Sequence, residues 1–139
     1  MAVTIAWYVP EKVVYIAVND AISLDDSSRI SHKLTQFISA SQNKVNILIN
    51  LNNMDSSIST VHLLSSIITP LFFLPQLKSI ISYTADNSVR KTLTSTMTSM
   101  FRARLRAYSS EGEALERLKK ADESLTDLKP VDEVLASSG

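Results

Sequence analysis

The chain has 139 residues, enough for one domain that buries roughly two thirds of its unfolded surface without covalent staples. Lys+Arg and Asp+Glu both total 14, so the formal net charge is zero, and a nucleic-acid binder, which needs a basic excess to meet phosphates, is disfavoured. The absence of cysteine removes thiol nucleophiles, thiolate metal sites and disulfides.

The opening, MAVTIAWYVPEKVVYIAV, lacks the basic-then-apolar order of a signal peptide, because Pro10, Glu11 and Lys12 interrupt its apolar residues. Val3–Val9 and the apolar run Val13–Val18 have strand length and β-branched content, and Pro10-Glu11-Lys12 has turn chemistry. A β-hairpin is expected. Ser23 then offers a helix N-cap with Asp26 in the first turn. Ile30, Leu34, Phe37 and Ile38 follow at helical spacing, predicting a helix over 24–41.

Val45–Leu51 reads as a strand with Val45, Ile47, Ile49 and Leu51 on one face, followed by a polar loop over 52–57. A second helix, 57–69, carries Ile58, Val61, Leu64 and Ile68 and is broken by Pro70 and Pro75. Leu77–Thr84 is a strand. A third helix, 87–101, carries Val89, Leu93, Met97, Met100 and Phe101 on one stripe. Arg104–Tyr108 is a short strand. Ser110 and Glu113 have capping-box spacing, and Ala114, Leu115, Leu118 and Ala121 complete a fourth helix over 110–121.

The order β-β-α-β-α-β-α-β-α predicts an α/β fold: a mixed, largely parallel sheet of five strands with a hairpin start and four helices. Residues 1–122 are expected to form the domain. Residues 123–139, polar and holding Pro130, are expected to be a weakly ordered tail. No window approaches the ~20 apolar residues of a spanning helix, so the expectation is a cytoplasmic protein that is not integral to a membrane.

The segment Ile47–Thr60 reads ILINLNNMDSSIST: a strand, a short polar loop, then Met-Asp-Ser-Ser opening a helix. It resembles the loop of STAS domains, the family of bacterial anti-sigma factor antagonists, in which a similar strand runs into Met-Asp-Ser-Ser-Gly-Leu-Gly. The N-terminal hairpin, the stretch Asn87-Ser88-Val89-Arg90-Lys91-Thr92-Leu93 and the closing strand and helix are also similar, so the likeness spans about Val3 to Lys120. The resemblance implies a SpoIIAA-like fold and a non-enzymatic regulatory role. It implies a phosphate acceptor at the serine after the Asp, Ser56 by position, with Ser57 as the alternative. It implies a partner loop of Asn53, Asp55, Ser56 and Ser57, and a protein partner that is a serine kinase and anti-sigma factor. The sequence departs from the family pattern at Ile58-Ser59-Thr60, which stands where Gly-Leu-Gly is usual. That departure also fits divergent STAS-like proteins grouped with Sec14-type lipid binders.

Physical chemistry gives two readings of Asp55-Ser56-Ser57. A helix N-terminus offers unpaired N–H groups to an anion such as a phosphoserine. Alternatively these side chains only cap the helix.

Other candidates are weaker. His32 and His62 lie on different helices without further ligands, so no metal site is expected. Asp55, Ser56 and His62 hold the ingredients of a hydrolase triad but lack the G-x-S-x-G elbow. With only Gly112 and Gly139 available, a glycine-rich phosphate loop is excluded, and no cofactor is expected. Arg102, Arg104 and Arg106 alternate, forming either an anion patch or a charged guard on an edge strand. Phe72, Phe73, Met97 and Phe101 are candidates for an apolar pocket, the basis of an alternative small-molecule or lipid-binding reading. If exposed, Leu71–Leu74 would be a contact patch instead. A homodimer is left open.

Overall fold

The computed structural model describes residues 3–96, 104–125 and 128–138. A central sheet of five strands has the order β1-β2-β3-β4-β5. β1 (Val3–Val9) and β2 (Val13–Asp20) form the expected antiparallel hairpin, and β3 (Val45–Met54), β4 (Leu77–Tyr83) and β5 (Leu105–Tyr108) add in parallel. Pro10 begins the hairpin turn, which Lys12 N–H closes onto Val9 O at 3.0 Å. Glu11 adopts φ 62° there, at a backbone cost of about 1 kcal/mol for a residue with a Cβ.

Sequential strand order requires crossovers of one hand. Accordingly α1 (Leu24–Ser39), α2 (Ile58–Ile68) and α3 (Asn87–Thr96) share one face, with α1 against α2 and α2 against α3. Strand alternation supplies that face with Val14, Ile16, Val18, Val45, Ile47, Ile49, Leu51 and Ile80. The opposite face presents Val13, Tyr15, Leu48, Ile81 and Tyr83 to α4 (Glu111–Ala121) and α5 (Val131–Ser138). β3, the central strand, is buried from both sides.

Side-chain caps start the helices. Ser23 Oγ accepts from Asp26 N–H at 3.1 Å, and Asp86 Oδ1 accepts from Ser88 and Val89 N–H. Ser110 Oγ accepts from Glu113 N–H at 3.3 Å. The predicted box does not close, because the Glu113 carboxylate instead accepts the Ser109 hydroxyl at 2.6 Å. After α2 a 3-10 turn, Thr69–Phe73, accommodates Pro70 in its first turn, where a missing N–H costs nothing.

Three expectations need correction. β3 does not stop at Leu51. A bulge opposite Ala17 and Asn19 lets Asn53 and Met54 pair with Asn19 and Asp20, so the polar loop is only 55–57. Arg104 precedes β5 instead of opening it. The stretch after residue 122 is not merely a loose polar tail over its described residues: it carries α5 and buries Leu125 and Val131 in the α4-side core. The Tyr8 hydroxyl, carried by a bulge in β1, donates to Lys129 O and fastens the segment to the hairpin. Burial pushes that hydroxyl up to about 12, with a smaller contribution from Glu111. The third helix is described to Thr96, and its predicted continuation through Met97, Met100 and Phe101 lies outside the described residues.

Candidate functional site

The carboxyl end of β3 delivers Asp55-Ser56-Ser57 to the surface beside the end of β2. Met54 is buried and anchors the turn. Asp55 N–H donates to Asp20 O at 2.9 Å, stitching the loop to β2. Asn52 Oδ1 accepts Ala85 N–H at 3.0 Å, stitching it to the β4–α3 loop. Open α/β sheets commonly place ligand contacts at this end.

Ser57 caps α2. Its backbone is extended (φ −61°, ψ 148°) and its Oγ accepts Thr60 N–H. Its hydroxyl also donates to Asp55 Oδ2 at 2.6 Å, and Thr60 Oγ1 donates to the same oxygen at 3.1 Å. The Ser57 and Thr60 hydroxyls hold the Asp55 carboxyl below the usual range, because they stabilise its charged form.

Ser56 is different. It is exposed, and its hydroxyl makes no hydrogen bond among the described residues. The first turn of α2 contains no acidic residue, so its leading N–H groups and the positive end of the dipole are not answered by a carboxylate on the helix itself. Of the two serines, Ser57 is engaged and Ser56 is available. Ile58, which stands where glycine was expected, is 68% exposed. Its side chain projects from the first helical position, and no described residue covers most of it.

Sequence reasoning missed Thr60 and Asp20 as members of this loop. The Asp55-x-Ser57 spacing of an Asx turn, followed by Thr60 three residues after the cap, was the available signal.

The other candidates fall elsewhere. Arg104 donates to Lys78 O, Phe72 O and Leu77 O, and its guanidinium lies 5.4 Å from the centre of the Phe72 ring. It is a brace between the 3-10 turn and β4. Arg106 is exposed on edge strand β5, and Arg102 lies outside the described residues. Arg90 bonds Thr84 O and Asn87 Oδ1. Phe72 is buried and Phe73 is 72% exposed, while Met97 and Phe101 lie outside the described residues. Between the sheet and α1–α2, a void bounded by Ile16, Leu34, Ile49, Leu64 and Ile68 measures about 10 Å³, no more than the room one water needs. His62 is exposed on α2 and bonds neither Asp55 nor Ser56 among the described residues. No group of three or more potential ligands that could hold a metal occurs among the described residues.

The anti-sigma factor antagonist SpoIIAA, solved in its unphosphorylated form, matches with a TM-score of 0.58 over 86% of this chain and 97% of that one. The fold is STAS-like. Sequence identity is 20%, so this is a divergent example of the STAS-like architecture. No protein-family model and no curated protein matches the chain. No helix among the described residues is long and apolar enough to cross a membrane.

Proposed function

We propose that this STAS-like domain is a non-enzymatic, cytoplasmic protein-interaction module of the anti-sigma factor antagonist kind, switched by phosphorylation of Ser56. Its partner is a serine kinase that contacts Asn53, Asp55, Ser56 and Ser57. The observation that carries this reading is the contrast between neighbouring serines: Ser57 is held by Asp55 and Thr60, whereas Ser56 is exposed and unbonded among the described residues. A phosphate there adds about −1.5 to −2 charge near the positive end of the α2 dipole, whose first turn carries no acidic residue. It therefore changes the contact surface without disturbing the core. Asp55 is poorly suited to act as a general base, because two hydroxyls already stabilise its charged form and lower its proton affinity.

Intact-mass spectrometry of the protein isolated from its native host tests the switch. The expected result is a singly phosphorylated species that fragmentation maps to Ser56 and that disappears in Ser56→Ala but persists in Ser57→Ala. Absence of phosphate under every growth condition, or phosphate confined to another residue, would remove the switch.

A further inference from the structure

The opposite end of the sheet has its own chemistry. Three adjacent parallel strands start at Val45, Leu77 and Leu105, and each start carries a cation: Lys44, Lys78 and Arg104. Their head groups rest on backbone oxygens. Lys44 donates to Pro75 O at 2.5 Å and Lys78 to Ala121 O at 2.6 Å, and Arg104 holds the carbonyls of Phe72, Leu77 and Lys78. The ion pairs found among the described residues are Arg29–Asp26 and Lys119–Glu116, so no carboxylate there lies within ion-pair distance of these three charges. Asp122, lowered mainly by the Ser124 hydroxyl, lies within the longer-range field of Lys78.

The three cations line a groove of about 590 Å³ whose walls include Phe72, Phe73 and Pro75. Phe73 is 72% exposed, the one aromatic among the large exposed hydrophobics of the described residues, beside Leu24 and Ile58. The 3-10 turn that carries it contains Pro70 and is followed by Pro75, so the ring is presented on a stiff support.

An exposed ring flanked by two exposed lysines, with apolar stems and charged ends, suits the boundary between acyl chains and phosphates. Each lysine keeps N–H groups beyond the one given to its carbonyl, and these can meet any of many equivalent phosphates without an individually aimed partner. We propose that this end of the domain docks reversibly on an anionic lipid surface. Phe73 enters the acyl boundary, and the exposed Lys44 and Lys78 face the headgroups, while Arg104 braces the turn that carries the ring. One aromatic side chain with two lysines gives weak, salt-sensitive attachment and not a permanent anchor. The surface is remote from Ser56 and does not depend on the switch.

The test is co-sedimentation of the full chain with vesicles of phosphatidylcholine alone and of phosphatidylcholine mixed with phosphatidylglycerol. Binding is expected only to the mixed vesicles and should fade as salt screens the charges. Lys44→Ser with Lys78→Ser should weaken it about twentyfold, and Phe73→Ser about tenfold. Ser56→Asp should leave it unchanged. Thermal melts of each variant, taken alongside, separate lost docking from lost folding: a variant that melts with the wild type and no longer sediments has lost docking alone. No sedimentation with anionic vesicles at low salt, equal binding to neutral vesicles, or binding that neither variant weakens would overturn the proposal. An acidic protein partner for this groove would appear as the first of those outcomes.

Discussion

Thr60 Oγ1 lies 3.1 Å from Asp55 Oδ2 and donates to it across the first turn of α2. Together with the Ser57 hydroxyl on the same oxygen, it makes Asp55 a clasp between the end of β3 and the helix. The sign of the pH effect follows. A carboxyl whose folded value is depressed adds stability above its unfolded value, about pH 4, and loses it as pH falls through the folded value. Thermal melts of wild type and Asp55→Asn should differ at neutral pH and converge in acid. A gap independent of pH would show that the carboxylate charge is not what the hydroxyls stabilise.

The two neighbouring serines should separate cleanly in denaturation experiments. Ser57→Ala removes the acceptor for Thr60 N–H and should cost about 1 kcal/mol. Ser56→Ala should stay within about 0.5 kcal/mol of wild type. Ser56→Asp should also leave stability nearly unchanged while weakening partner binding more than about tenfold, or ~1.4 kcal/mol. Equal costs for the two alanine variants would contradict Ser57 as the cap.

Arg104 and Arg106 should behave as different kinds of residue. Arg104→Lys keeps the charge but cannot reach the carbonyls of Phe72, Leu77 and Lys78 together, so it should lose about 2 kcal/mol in urea unfolding. Arg106→Ala, on the exposed edge, should change stability by less than about 0.5 kcal/mol. Equal effects would return both to a shared surface patch.

Deleting residues 123–139 uncovers the α4-side core where Leu125 and Val131 pack. A loss of about 3–5 kcal/mol is expected from these two side chains alone, measured by urea denaturation. An unchanged midpoint would show that the segment is an appendage to the core.

Where burial repeats with a period, the sequence was readable. Val45, Ile47, Ile49 and Leu51 alternate onto one face, and Ile30, Leu34 and Ile38 recur on one side of α1, as their spacing predicts. The choice between Ser56 and Ser57 was not readable, because either can cap. Which of them caps α2 follows from the extension of β3 through Met54, set by pairing with β2 across a bulge, which leaves Ser57 at the helix start. The bracing role of Arg104 was hidden for a similar reason: its carbonyl partners come from the 3-10 turn and β4, which meet only in the folded chain. α5 left a faint signal in Pro130, followed by Val131, Val134 and Leu135 at helical spacing with Asp132 and Glu133 in the first turn. Its polar surroundings outweighed that signal.

The bond from the Tyr8 hydroxyl to Lys129 O joins residues 121 positions apart. Such a pairing carries a heavy loop-closure cost until the intervening sheet exists. During synthesis Tyr8, Val13 and Tyr15 therefore stay wet on one side until the segment around Lys129 has been made and has packed against them. In pulse-labelled refolding, amides of α5 should acquire protection after those of the β1–β2 hairpin, and in that interval the uncovered face is most open to mispairing with another copy.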